Sequence, residues 1–188
     1  PIPRHLPLVE LATGIIFAFL FRHCGITPEL GVMAFYTCLL VIIFAVDLEQ
    51  GLILNKVVYT GMVVALILAL FLPQPWITQV KFHGISNFAI GGGIGFVLFL
   101  LIAIIARGGM GWGDVKLAAL IGLATGFPLV FVSLIMGAII GGLVAIFMLI
   151  FKKRGRKETI PFGPFLSLAT WITLLWGSSI LNWYLGLW

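Results

Sequence analysis

"ISNFAIGGGIGFVLFLLIAIIA", residues 85–106, is followed after one arginine by "GGMGWGDVK", residues 108–116. The first stretch runs for twenty-two residues without a charged side chain. About 20 apolar residues suffice for an α-helix to cross the hydrocarbon of a bilayer. The second stretch sets an aspartate and a lysine at the end of that run, behind the spaced glycines Gly109, Gly111 and Gly113. The first decides the fold, and the second poses the question of function.

The rest of the chain follows the first pattern. Of its 188 residues 62% are hydrophobic and 9% charged, where a soluble domain averages about 25% charged. Apolar spans fall at 6–22, 30–46, 57–72, 85–106, 115–126, 127–151 and 164–185, separated by "CGITPELG", "LPQPW", "GGMGWGD" and "GFP". The expected architecture is all-α: a polytopic transmembrane bundle of about seven spans in one membrane-embedded domain, 1–188. Alternating polar and apolar strands are absent, which argues against a barrel.

From Leu117 to Phe151 there are 35 uncharged residues, too many for one straight helix, and Pro128 disfavours helix at Phe127. The piece before it is about 12 residues, roughly 18 Å of helix, short enough either to cross or to dip and return. Loop charge separates the two. With seven spans and the N-terminus cytoplasmic, Arg4, Lys56, Arg107, Lys116, Lys152, Lys153, Arg154, Arg156 and Lys157 lie inside, and only Arg22 and Lys81 outside. The positive-inside rule favours that arrangement. It also accounts for the net charge of +5, five of the basic residues being in "KKRGRK" at 152–157, without a nucleic-acid partner.

Cys24 and Cys38 show neither disulfide nor metal spacing. The sequence opens on Pro1, which reads as a processed or trimmed start, and no cleavable signal peptide is visible.

Six carboxylates exist: Glu10, Glu29, Asp47, Glu49, Asp114 and Glu158. Asp47 directly follows the apolar run "LLVIIFAV", and Asp114 follows "GGMGWG". In the seven-span arrangement both aspartates, the only two in the chain, lie at the cytoplasmic edge on different helices. An ionisable group there is costly and marks a functional site by default. Gly111 and Gly113 permit unusual dihedrals and close backbone approach. Two carboxyls a few ångströms apart share a proton. One then acts as base on water and the other as acid on a carbonyl, which is peptide hydrolysis without a metal. His5, His23 and His83 are scattered, Ser and Thr lack a partner His and Asp at one depth, and no phosphate-binding loop is present.

The segment "GMGWGDVKLAALIG" (109–122) resembles the GxGD signature of the type IV prepilin peptidases, intramembrane aspartic proteases, with Gly111, Trp112, Gly113 and Asp114 in its four places. "PLVELATGIIFAF" (7–19), "DLEQGLILN" (47–55) and "IPFGPFLSLA" (160–169) resemble three further family stretches in order. The second carries the first catalytic aspartate in the family, here with Leu54 where proline is usual. The resemblance implies Asp47 and Asp114 as catalytic dyad, prepilins or pseudopilins as substrates, a bacterial plasma-membrane location with the active site at the cytoplasmic face, and no cofactor for proteolysis. It also implies N-methylation with S-adenosylmethionine, tied in the family to an extra N-terminal span and a cytoplasmic loop with two CxxC pairs. Neither is in this sequence. An archaeal preflagellin-type peptidase is the neighbouring reading, and a small ion transporter or an inactive assembly partner are readings of other classes.

Supporting residues carry two readings each. Lys116 either influences the dyad or a substrate carbonyl, or is an ordinary snorkelling lysine. Glu49 contacts a basic leader or is a solvated loop acid. Glu10, about a turn inside the first span, contacts substrate or is a protonated structural glutamate. Asn55 is expected to cap a helix. The glycines at 91–95, 137 and 141–142 either let helices pack closely or form a groove for a substrate helix.

Overall fold

The computed structural model describes residues 5–71, 85–106, 110–151 and 161–186. Arg4, Trp76, Lys81, His83, Arg107, Gly109, the basic cluster at 152–157, Glu158 and Trp188 lie outside the described residues, and with them most of the charges that orient the bundle.

Every element among the described residues is a helix: α1 (His5–Cys24), α2 (Pro28–Gln50), α3 (Asn55–Phe71), α4 (Ile85–Ile105), α5 (Trp112–Thr125), α6 (Leu129–Ile150) and α7 (Gly163–Leu185). The stretches Pro28–Gln50, Ile85–Ile105, Leu129–Met148 and Gly163–Leu185 are long and apolar enough to cross a membrane. The chain is therefore an all-α membrane bundle. Proline opens α2 and α7 in their first turn, where its missing N–H has no intrahelical acceptor to lose. Left-handed Gly51 and Gly186 close them, at φ 62° and 66°.

The short helix α5 is the centre of the bundle. Val115, Leu117 to Gly122, Ala124 and Thr125 are buried, and α3, α4, α6 and α7 pack around it. A helix apolar on all sides belongs in an interior. At 14 residues it is about 21 Å long, against about 31 Å for the 21-residue α4.

Glycines set how α4 meets α5. A Cβ on Gly91 would lie 2.5 Å from the Gly122 carbonyl oxygen, and one on Gly95 would meet the backbone of Ala118. The two helices thus run antiparallel, Gly91 opposite Gly122 and Gly95 opposite Ala118, each pair of small residues four apart on its own helix. This is the small-xxx-small route to close backbone approach in membranes. On α6, Gly137 faces Leu166 of α7 and Gly141 faces Phe162, the N-cap of α7. Gly93 and Gly142 meet nothing. Of the two readings of these glycines, close packing accounts for those at 91, 92, 95, 137 and 141.

Candidate active site

Asp47 is in the last turn of α2, and only 3% exposed. The sequence reading ended the span at residue 46, at its first charge. The helix continues to Gln50 because nothing interrupts it before Gly51. The backbone N–H of Gly163, the first residue of α7, donates to Asp47 Oδ2 at 2.9 Å. Glycine is required there: a Cβ at 163 would stand 2.5 Å from the same oxygen. The carboxyl therefore sits against a helix N-terminus, whose unpaired amides and dipole favour negative charge.

Asp114 is also inside a helix and not in the preceding loop. Gly111, extended at φ −72° and ψ 142°, is the N-cap of α5, which makes Asp114 the third helical residue. Its carboxylate accepts the Gly111 amide. That is the returning half of a capping box, with aspartate in the usual glutamate place. The two glycines of the motif differ in what they do. A Cβ on Gly113 would reach to 3.0 Å from Ile53 Cβ, so this glycine admits the 51–54 connection against α5. Gly111 leaves its space to the Asp114 carboxyl, whose Oδ2 a Cβ would touch at an ordinary 3.5 Å.

Asp47 and Asp114, 67 residues apart in sequence, line one cleft of about 420 Å³ together with Asn55, Gly111, Gly113 and Lys116. The charge of Asp47 is felt at Asp114 across this cleft. Lys116 Nζ donates to Asn55 Oδ1 at 3.0 Å and lies 5.3 Å from the centre of the Tyr59 ring. Asn55 thus opens α3 without capping it by its side chain: the amide oxygen is turned across to α5. Pro161 and Phe162 complete the wall.

Glu49 and Glu10 are not brought to the cleft. Both are exposed, Glu49 on the last turn of α2 and Glu10 on α1. His23 stacks on Phe19, ring centres 5.8 Å apart, with Trp176 at 6.2 Å, an aromatic cluster away from the acids. Cys24 and Cys38 are free thiols. Among the described residues no three His, Cys, Asp or Glu side chains gather as metal ligands would.

Sequence reasoning missed the parts of the site that are backbone. The Gly163 amide, the Gly111 amide and the Ile53 contact leave no chemical signature in a side chain. The segment "IPFGPFLSLA" (160–169) was legible only as a family resemblance, without the amide it supplies.

The glycine seam also fixes the level of the site. Continuing its antiparallel register sets Asp114 opposite Phe99, whose ring lies 6.2 Å from that of Phe162 in the cleft wall. The six residues from Phe99 to Ile105 then carry α4 about 9 Å beyond the aspartate. Ile102, Ile104 and Ile105 in that projecting part are exposed.

A family model described as the type IV leader peptidase family matches residues 34–146, a range that contains both aspartates. Curated relatives named prepilin leader peptidase/N-methyltransferase align over nearly the whole chain. The one from Pseudomonas aeruginosa is 28% identical over 194 residues, covering 98% of this chain and 62% of that protein. Its Bacillus subtilis counterpart is 29% identical over 181 residues, covering 95% and 69%. The Legionella pneumophila relative is 28% identical over 193 residues, covering 100% and 64%. The chain spans about three fifths of the length of the Pseudomonas relative, 62%. No solved structure matches. With the family model over more than half of its residues and a buried and a half-buried aspartate sharing one cleft of an apolar bundle, the chain belongs to the type IV leader peptidase family.

Proposed function

We propose that this chain is an intramembrane aspartic endopeptidase that removes the leader from type IV prepilins or related pseudopilins. Asp47 and Asp114 are its catalytic pair, in a single membrane-embedded peptidase domain. The observation that carries the reading is that the only two aspartates of the sequence, borne on different helices, converge in one cleft. Each carboxyl takes one backbone amide at a helix start, which orients it and leaves its remaining oxygen for chemistry.

Two interacting carboxyls hold one proton between them more readily than none. The ionised member removes a proton from a water molecule as that water's oxygen attacks the scissile carbonyl carbon. The protonated member donates to the carbonyl oxygen. Collapse of the tetrahedral intermediate breaks the C–N bond, and the amine leaves with a proton returned through the pair. The two titrate as a unit, so the roles belong to the dyad. Lys116, held by Asn55 and Tyr59, supplies a fixed positive charge to the same cleft.

The topology proposed is seven spans with residue 1 on the cytoplasmic side of the plasma membrane, so that the acid-bearing end faces the cytoplasm, where a basic leader remains. N-methylation of the new N-terminus is proposed only as an activity that the relatives' name raises. The groove described below is apolar with a few hydroxyls, and the cleft's carboxyls are engaged in hydrolysis. These residues do not make a site for S-adenosylmethionine, and no step is assigned to it.

The test is reconstitution in lipid with a synthetic prepilin, products being read by mass spectrometry. The parent chain is expected to remove a leader-sized fragment, with Asp47→Asn and Asp114→Asn each slower by about 10²- to 10⁴-fold while keeping their helix content. Retained cleavage by either variant overturns the assignment. An added methyl mass in the presence of S-adenosylmethionine establishes transfer by these 188 residues.

A further inference from the structure

A second cavity opens between α1, α2 and α7. It is a groove of about 390 Å³ walled by Val9 and Ile16 of α1, Leu40 and Phe44 of α2, and Ser167 and Trp171 of α7. Along α2 it extends from Thr37 to Ala45, about 12 Å or two helical turns. It ends two residues short of Asp47 on α2 and one turn past Gly163 on α7, the residues joined by the amide–carboxylate bond. The groove and the cleft are therefore consecutive along the same two helices.

The polar groups of this otherwise apolar groove differ from one another in a telling way. Thr13 donates its hydroxyl to the Val9 carbonyl four residues back, at 2.7 Å. Thr37 Oγ1 accepts from Trp171 Nε1 at 3.1 Å. Ser167, 2% exposed, has no partner for its Oγ. Its neighbours on α7 show the usual alternative, Thr170 bonding back to Leu166 O at 2.7 Å and Thr173 to Ala169 O at 2.8 Å. A buried hydroxyl without a partner is costly in an apolar setting.

We infer that this groove seats the apolar helix of the substrate, and that Ser167 caps that helix in trans. The inference rests on the reading of Asp47 and Asp114 as the hydrolytic pair. A segment that must be unwound at the cut bond begins its helix just beyond it, and the first amides of any helix have no intrahelical acceptor. At membrane depth no water replaces that acceptor. Serine oxygen is among the preferred N-cap acceptors, and Ser167 lies at the acid end of the groove, one turn along α7 from the Gly163–Asp47 bond. A lipid acyl chain would fill the apolar walls equally well but has no donor for the hydroxyl. The helix satisfies both.

The experiment places a benzophenone side chain at Val41, inside the groove, or at Ile139, exposed on α6, in the lipid-reconstituted chain. Irradiation with a synthetic prepilin is expected to cross-link its apolar segment to Val41 and not to Ile139. Equal capture at both positions, or capture of lipid alone at Val41, overturns the proposal. This readout does not require turnover, so a chain that fails to cleave would refute the hydrolytic reading and leave the groove to be judged separately. In the kinetic arm, Ser167→Ala is expected to lower kcat/KM about 2- to 30-fold, and Ala12→Trp, which fills the groove from α1, to raise KM. Both should leave unchanged the cleavage of a short peptide that carries the cut bond without the apolar segment. Full-length substrate cleaved at the parent rate by both variants overturns the docking site.

Discussion

The two flanks of the bundle are built by opposite rules. On one, α4 and α5 touch backbone to backbone through Gly91, Gly95, Ala118 and Gly122, with no room for a methyl group. On the other, α1 stands off α2 and α7 far enough to leave a groove of about 390 Å³, and Leu11 and Ile15 are exposed. Membrane helices gain little from hydrophobic burial against one another, because lipid is as apolar as leucine. Their association comes from close packing and hydrogen bonds. The tight flank therefore holds Asp114 in register, and the loose flank is the side that a second helix can enter without disturbing the acids.

The harshest way to break this contrast is to add bulk to the seam. Gly95→Val drives its side chain into the Ala118 backbone, and backbone cannot rotate away. The expected loss is about 3 kcal/mol or more, the upper end of overpacking, seen as unfolding at much lower denaturant in micelles. A variant as stable as the parent would mean that the seam is not close-packed.

A change where the two flanks meet should act on chemistry before stability. Gly163→Ala puts a methyl group against Asp47 Oδ2 and displaces the carboxyl. A misplacement of about 1 Å in a catalytic group lowers rate on the order of 10²-fold. The drop should fall on kcat with KM little moved, measured on the same synthetic prepilin. An equal loss in both would point to a damaged fold instead. The smallest effect tests the glycines that touch nothing. Gly93→Ala should raise stability by about 0.5–1 kcal/mol, the helix-interior penalty of glycine. A loss would show that Gly93 has a partner.

Much of the fold was legible because helix length and charge placement are properties of the chain alone. All seven spans appear as helices close to where apolar runs predicted them, with α5 starting at Trp112 and not at 115. The helix start was hidden because Gly111 and Gly113 read as loop residues. In fact Gly111 caps and Gly113 packs, so helix begins among the glycines. The convergence of Asp47 and Asp114 was legible for a related reason, since both end up at the same face when the spans alternate. What the chain could not disclose is which helices are neighbours. The packing of α7 against α2 delivers the Gly163 amide to Asp47, and the packing of α3 against α5 turns Asn55 from a helix cap into the partner of Lys116. Glu10 and Glu49 stand out in the sequence as rare charges, but they are exposed and do not line the cleft.

The shortness of α5 reaches beyond packing. By the seam register α5 falls about three residues short of α4 at its far end and about four short at the acid end, where α4 runs on about 9 Å past Asp114 with Ile102, Ile104 and Ile105 outward. Those isoleucines are apolar surface suited to hydrocarbon, and they extend past the level of the two carboxyls. On the proposed hydrolytic reading, water and the peptide bond must then reach carboxyls set about 9 Å back from the end of α4, so depth itself secludes the reaction.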